Sequence, residues 1–213
     1  MAHPTWPLYD LVIRTPRLEL RLPTEDEYIE LLAHSDRSIY ERTGFMPFTI
    51  DWPGDPVDSM KYQWRTRADW KPDDWHYALS VFVDGRIVGA QGLLAANFAN
   101  LRSVSTGSWL INGVQGQGIG KEMRTAVLHF AFAGLGALEA HSEAHIDNAA
   151  SNAVSAAMGY EVTHSQGSMF GDERHELYKM ILRRATWESL DVHQRDDIEI
   201  EGLEPVLDWF IES

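Results

Sequence analysis

The 213-residue chain contains no cysteine. This absence excludes disulfide bonds, a thiolate nucleophile and every zinc or iron–sulfur site that depends on cysteine ligands. Positive charge is also scarce, because 18 lysines and arginines stand against 32 aspartates and glutamates and leave a formal net charge of −14. Tight binding to a phosphate backbone needs the opposite balance, so we expect no nucleic-acid partner and a neutral or cationic one instead.

Long apolar runs are missing as well. The longest, residues 126–138, is interrupted by His129 and two glycines, and it is shorter than the ~20 residues that cross a bilayer. The first ten residues lack the basic and apolar regions of a secretory signal. We therefore expect a cytoplasmic protein with no membrane partner.

What is present is the periodicity of an α+β protein. Leu18, Leu20 and Leu22 alternate with charged residues and predict a strand over residues 17–22, and Thr24 with Glu27 has the spacing of a capping box before a helix. The same reasoning predicts helices at 58–68, 119–133 and 149–158, and strands at 77–83, 86–95, 104–111, 137–146, 160–165 and 174–182. This order favours a single mixed, mostly antiparallel sheet flanked by helices.

The domain prediction has three parts. Residues 1–186 form the main domain, and within it the aromatic-rich residues 36–75 either pack its flank or form a lid over a substrate. Residues 187–213 carry nine acidic residues and one arginine together with many apolar residues. That mixture predicts an acidic extension docked on the domain or on a partner.

The most informative segment is QGQGIGK, residues 115–121, which follows a predicted strand and opens a helix. Glycines let a ligand approach the backbone, and a helix N-terminus offers free N–H groups and a positive dipole end. The segment therefore predicts an anion cradle, most naturally for a pyrophosphate. Its spacing matches neither the P-loop nor the dinucleotide-binding pattern.

The pattern that fits has Gln115, then Gly118 and Gly120. With it the chain resembles the GCN5-related N-acetyltransferases (GNAT family), which bind acyl-CoA. Residues 15–22, TPRLELRL, look like the opening strand of the branch that acetylates the N-termini of ribosomal proteins, and residues 148–160 resemble a later segment of that branch. The resemblance covers about residues 13–184, and the chain is especially similar to an actinobacterial subgroup that includes a succinyl-CoA-using enzyme.

The resemblance implies a GNAT fold and a binding site for acetyl-CoA or succinyl-CoA as co-substrate, without a metal. Pantetheine would add to the strand before the glycine loop, and the backbone N–H of Leu110 would polarise the thioester carbonyl. Asn148 would lie against pantetheine. Lys121 either contacts a phosphate or is simply solvated. The expected donor-binding residues are Trp109, Leu110, Ile111, Gln115, Gly116, Gln117, Gly118, Ile119, Gly120, Lys121, Asn148 and Ser151.

Ser151 matches the position proposed in this branch to hydrogen-bond or protonate the departing CoA thiolate, although it and Asn148 could simply cap the helix. The tyrosine that many relatives use as general acid is replaced by Ser155, and their glutamate base by Ser105. His141 or Glu143, which share one face of a predicted strand, are the substitute bases, unless that face is only solvated.

The expected reaction is direct transfer of an acetyl or succinyl group from CoA to an amine, without a covalent enzyme intermediate. The acceptor is the amine of a small molecule, a peptide or a protein, and either a homodimer or a monomer fits. For a succinyl group, Arg42, Arg65 and Arg67 are the candidate carboxylate ligands. The alternative is a catalytically silent protein of the same fold that senses acyl-CoA or binds a partner.

Overall fold

The computed structural model describes residues 3–35, 39, 54–170 and 172–211. Within them one sheet holds nine strands in the order β7-β8-β6-β5-β4-β3-β2-β1-β9. All neighbouring strands run antiparallel except β5 and β6, which are parallel. The strands are β1 (Val12–Arg14), β2 (Leu18–Arg21), β3 (Trp75–Val83), β4 (Arg86–Ala95), β5 (Ser103–Leu110), β6 (Glu139–His145), β7 (Glu161–Phe170), β8 (Glu173–Arg183) and β9 (Glu199–Glu201).

Helices cover the two faces of this sheet. On one face, α1 packs Tyr28 and Leu31 against Phe82 and Ile87. On the other face, α4 buries an apolar stripe that includes Met123, as the helical period requires. The helices are α1 (Glu25–Ala33), α2 (Pro56–Ala68), α3 (Phe98–Leu101), α4 (Ile119–His129), α5 (Ala149–Ala157) and α6 (Arg184–Ser189). Across the part of the chain that the structure describes, no helix has the length and apolarity to cross a membrane.

The predicted α+β fold with a mixed, mostly antiparallel sheet is confirmed. The predicted helix over 119–133 is wrong in its last turn, because α4 ends at His129 and residues 130–134 form a π-helical turn. Gly134 in that turn lies against the C-terminal segment, since a Cβ atom there would stand 3.1 Å from Leu203 Cδ2. The sequence analysis also missed β1, β9, α3 and α6.

The C-terminal residues join both the sheet and the core. Strand β9 pairs with β1, and the side chains of Val206 and Phe210 are buried. The Trp75 indole N–H donates to the Phe210 carbonyl over 2.9 Å, and Trp70 does the same to the Trp209 carbonyl over 2.8 Å. The division of the chain at residue 186 stays a prediction, as does the lid. Tyr40, Arg42, Phe45, Phe48 and Trp52 lie outside the described residues.

Candidate active site

The pairing of β5 with β6 stops halfway along β5. The parallel register runs from Ser103 with Glu139 to Thr106 with Ser142. Beyond this point β5 stays paired with β4 as far as Leu110, and β6 stays paired with β8. The two strands therefore separate and leave a cleft between residues 107–110 and residues 143–145.

Leu110 turns its backbone toward this cleft. The Ile111 N–H donates to the Val88 carbonyl over 2.9 Å, and the alternation of an antiparallel ladder directs the backbone groups of the preceding residue away from β4. The Leu110 carbonyl accepts instead from Gln115 Nε2 at 2.9 Å. The Leu110 N–H consequently has the orientation that a donor to a thioester carbonyl in the cleft requires. Trp109 packs against the α1 cluster.

The glycine loop is held in a backbone conformation that suits glycine. Gly116 and Gly118 have φ angles of +78° and +82°, and Gly118 is the N-cap of α4. The Gln117 side chain donates to the Gly113 carbonyl over 2.7 Å and closes the turn. Ile119 and Gly120 follow directly, in the first helical turn, where backbone N–H groups lack intrahelical acceptors. The loop and the helix end form the cradle that an anion needs.

Two cations stand beside this cradle. Lys121 is exposed in the first turn of α4. Arg17 reaches across from the start of β2, where its Nη1 donates to the Gln117 carbonyl over 3.2 Å and its Nε to Glu122 over 2.6 Å. The Thr15 hydroxyl also donates to Glu122 over 2.6 Å, so the Glu122 carboxylate fixes Arg17 against the loop. The sequence analysis did not name Arg17 as a site residue.

Helix α5 places Asn148 and Ser151 on the same side as the loop. Asn148 is the N-cap, and its side chain accepts from the Ser151 N–H at 3.1 Å. Val154 lies one turn along the same helix face, close enough that a Cβ atom on Gly120 would stand 3.8 Å from it. Ser151 is half-buried in the first turn of α5.

Each of the two candidate bases on β6 lies close to an ionisable side chain. His141 Nε2 lies 3.5 Å from a Glu139 oxygen, and Glu143 forms an ion pair with Lys179. His141 is directly opposite Ser105, at the closed end of the cleft, whereas Glu143 follows the last β5–β6 pair and borders its open part. Their roles stay predictions. Over the described ranges, no group of three His, Asp or Glu side chains could hold a metal ion.

A cavity of about 550 Å³ lies between α2 and the sheet, and its lining includes Arg65, Asp69, Asp74, His76 and Ser105. Inside it the Tyr62 hydroxyl lies 3.0 Å from His76 Nδ1. Burial lowers the pKa of His76 to about 4, so the ring is neutral at physiological pH. The sequence analysis missed this pair, because a lone histidine between aromatic residues has no diagnostic spacing.

A buried arginine lies beneath the cleft. Arg124, on α4, is only 4% exposed, and its guanidinium contacts Ser108 on β5 and Ser142 on β6. Other arginines were predicted from the sequence as ligands of a succinyl carboxylate. Of these, Arg65 lines the cavity beside α2, and Arg67 donates to the main-chain carbonyls of Gln63 and Pro23. Arg124 was missed because its place in the helix pattern does not reveal which strands it faces.

Residues 17–161 match the family described as the acetyltransferase (GNAT) domain. The chain belongs to this family. Several solved structures share its fold. RimJ of Mycobacterium smegmatis, solved in complex with CoA-disulfide, has a TM-score of 0.72 at 17% identity, and the match covers 87% of this chain and 93% of RimJ.

Two further solved structures also share the fold of this chain. RimL, a ribosomal-protein α-N-acetyltransferase solved in complex with coenzyme A, has a TM-score of 0.66 at 19% identity over 82% of this chain and 99% of RimL. A GCN5-related N-acetyltransferase from Brucella melitensis has a TM-score of 0.68 at 15% identity over 86% and 82% of the two chains. The GNAT fold predicted from the sequence is thereby confirmed.

Proposed function

We propose that this GNAT-family protein is an acyl-CoA-dependent N-acyltransferase, which moves an acetyl or succinyl group from CoA to an amine by direct attack in a ternary complex. The observation that carries the proposal is the cleft between β5 and β6, which opens next to the Leu110 N–H and leads to the glycine loop. An acyl-CoA molecule with its thioester carbonyl in the cleft and its pyrophosphate on the glycine loop would match all three features. RimJ and RimL were solved with CoA derivatives, which supports the same ligand class here.

The donor would lie along β5. Its pyrophosphate would bind the N–H groups of residues 115–121, with Lys121 and Arg17 beside it. Its pantetheine arm would follow Trp109, Leu110 and Ile111 and pass Asn148. The Leu110 N–H would stabilise the oxyanion that forms during attack, an interaction typically worth ~3 kcal/mol of the barrier.

The acceptor would approach from the face that carries α1 and α2. The cavity on that side presents Asp69 and Asp74 against Arg65, and the whole chain is strongly acidic. Both features favour a cationic amine. RimL acts on a ribosomal protein by its name, and we propose a peptide or protein amine as the acceptor class. The homodimer and the cytoplasmic location stay predictions.

Proton transfer completes the proposed reaction. The attacking amine must be neutral, so a base has to remove its proton, and we assign this role to His141 or Glu143. Ser151 would then donate a hydrogen bond to the departing thiolate from a helix N-terminus, where the dipole favours negative charge, and water would supply the proton that gives the free thiol. The glycine loop and the Asn148–Ser151 cap argue against the catalytically silent alternative.

The proposal is tested by CoA binding to the wild type and to two matched glycine variants. Gly118 and Gly136 both have positive φ angles, +82° and +72°, so an alanine at either position strains the backbone by ~1 kcal/mol or more. Only Gly118→Ala would place a methyl group in the proposed cradle. We expect Gly118→Ala to weaken CoA binding at least tenfold and Gly136→Ala to leave it unchanged.

Calorimetric titration with CoA and acetyl-CoA measures both effects, and thermal melts report the loss of stability. A ligand at 100 times its dissociation constant stabilises the fold by ~2.7 kcal/mol, a shift that a melt resolves easily. No shift with any CoA species at millimolar concentration contradicts the proposed function. Equal weakening by both variants means that backbone strain, and not the cradle, causes the effect.

A further inference from the structure

Arg124 is a buried cation whose partners within the described part of the chain are all neutral. Its side chain is 4% exposed, Nη1 lies 3.3 Å from Ser142 Oγ, and Nη2 lies 3.1 Å from Ser108 Oγ. Its Nε has no hydrogen-bond partner in the ranges that the structure describes. No carboxylate among the described residues lies within ion-pair distance of this guanidinium. Burying an unpaired charge is costly, so proteins normally provide such a group with a counter-ion.

The groups around Arg124 are polar but uncharged. The Tyr160 hydroxyl lies near both the guanidinium and Thr106, and burial raises the pKa of this phenol, which therefore stays neutral. Gln91 sits directly opposite Ser108 on the neighbouring strand, is fully buried, and donates its side-chain amide to the carbonyls of Gly92 and Gly107. The cluster thus carries one net positive charge and, in Arg124 Nε, one hydrogen-bond donor without an acceptor among the described residues, as a site for an anion would.

The cluster lies where the acyl group of a bound donor would extend. Ser142 belongs to the last β5–β6 pair, so Arg124 bridges the two strands at the point where they separate. Ser108 is half-buried and lies two residues before Leu110 on the same side of β5, about 7 Å away. A donor that enters from the glycine loop reaches Leu110 first, and the part of its acyl chain beyond the thioester carbonyl then points toward Ser108.

We propose that Arg124 binds a terminal carboxylate on the acyl group of the donor. The preferred donor is then a dicarboxylic acyl-CoA with a short chain, such as succinyl-CoA, whose carboxylate replaces the missing counter-ion and accepts hydrogen bonds from Arg124 and Ser108. This inference rests on the proposed function, because it requires CoA in the cleft. Arg124 acts here in donor selection, and the transfer chemistry stays with the groups described above.

Succinyl-CoA and butyryl-CoA make a matched pair of probes, since they differ only in a carboxylate against a methyl group at the chain end. We expect the wild-type protein to bind succinyl-CoA at least tenfold more tightly than butyryl-CoA by calorimetric titration. In Arg124→Met this preference should vanish. The affinity for succinyl-CoA should fall at least tenfold, whereas the affinity for butyryl-CoA should stay within about twofold of the wild-type value. Charge-assisted hydrogen bonds are strong enough for this change, since tenfold corresponds to ~1.4 kcal/mol.

Two further variants separate charge from packing. Arg124→Lys keeps the charge and should retain part of the preference for succinyl-CoA. Ser108→Ala keeps Arg124 and should reduce the preference severalfold, so it tests the site even when Arg124→Met fails to fold. Arg184→Met is the control, because Arg184 donates to the main-chain carbonyls of Phe132 and Ala137. It should lower stability and leave the preference intact.

The binding measurements test the assignment of Arg124 and the proposed function separately. Equal binding of succinyl-CoA and butyryl-CoA to the wild type overturns the assignment of Arg124, and so does an Arg124→Met variant that loses both probes equally. In either case binding of unmodified CoA upholds the proposed function. Failure of every CoA species to bind overturns the proposed function itself.

Discussion

Two serines on α5 stand one helical turn apart and have different surroundings. Ser151 is half-buried in the first turn, beside the N-cap Asn148. Ser155 is fully buried, and its hydroxyl has no hydrogen-bond partner among the residues that the structure describes. Ser155 stands where the family resemblance would place a tyrosine acid, and its burial removes its hydroxyl from solvent. Of these two hydroxyls, Ser151 is therefore the one to which we assign the proposed contact with the leaving thiolate.

Ser151→Ala should lower kcat by about 10²-fold, within the usual range for loss of a hydrogen bond to developing negative charge, while the dissociation constant for CoA changes by less than about threefold. Ser155→Ala is its matched control. It removes a buried hydroxyl that makes no bond, so it should leave activity unchanged and keep or raise stability. Stopped-flow detection of CoA release with the best amine from an acceptor screen measures the first effect. Equal rates in the two variants would remove Ser151 from the mechanism.

The sequence predicts some site residues better than others, for a physical reason. Gln115, Gly118 and Gly120 belong to one short segment, so local sequence alone predicts an anion cradle from its glycines before a helix and carries the family resemblance through its spacing. Arg124 and His76 act through neighbours that are distant in sequence: Arg124 meets β5 and β6, and His76 meets Tyr62. Such contacts depend on strand order and register, which local periodicity does not contain.

At the scale of elements, the start of α1 is fixed by a compact ionic network. Thr24 and Glu27 form the predicted capping box, and Arg21 at the end of β2 donates to both oxygens of Glu27, at 2.6 and 2.9 Å. The Arg21 hydrogen bonds lower the pKa of Glu27 to about 2. The Arg21 guanidinium also lies 3.9 Å from the centre of the Phe82 ring. Strand β2, strand β3 and helix α1 therefore meet at one side chain.

Glu27→Gln should destabilise the protein at neutral pH, and the difference from the wild type should shrink as the pH falls from about 4.5 to about 2. The sign follows from the lowered pKa of Glu27: between these values the unfolded state binds a proton that the folded state does not, so the wild type loses this contribution as it is acidified. Gln keeps the capping box, which leaves the Arg21 pair as the changed interaction. Urea unfolding at pH 7, 4.5 and 3 measures the effect.

The exposed Glu30 of the same helix supplies the control, since Glu30→Gln removes one carboxylate without an Arg21 contact. A difference for Glu27→Gln that stays constant down to pH 3 would contradict the pairing.

Long elements with strong alternation or helical period are predictable, and short ones are not. Strand β4 and helix α2 match their predicted ranges within two residues at each end. Strands β1 and β9 have three residues each, too few for an alternating pattern, and they owe their existence to each other and to β2. Pairing across almost 190 residues of sequence is a tertiary property, so the sequence analysis missed both strands.

At the scale of the whole molecule, the core is closed by aromatic residues from both halves of the chain. The Phe210 ring lies 5.0 Å from Trp75, 5.3 Å from Trp70, and 5.5 Å from both Tyr77 and Phe130. Phe210 is fully buried. Edge-to-face packing of this kind adds to the free energy of burial. The last described residues are thus part of the core.

Phe210→Ala should lower the free energy of unfolding by ~3–5 kcal/mol, as expected for a fully buried phenylalanine. Leu207→Ala is the control, because Leu207 is 37% exposed on the same turn and should cost far less. Chemical denaturation of both variants, followed by tryptophan fluorescence, gives the comparison. Similar losses from the two variants would show that the turn, and not the ring, carries the stability.

The pairing of β1 with β9 also has a consequence for biosynthesis. Val12 and Glu201 are partners in the sheet, and Arg14 forms an ion pair with Glu201. A ribosome adding roughly 5–20 residues per second needs about 10–40 s to make the intervening chain. If β1 forms on β2 before β9 is made, its outer edge is an unpaired strand edge, the kind of surface that recruits other chains. Nascent copies on neighbouring ribosomes can therefore mispair at this edge until β9 covers it.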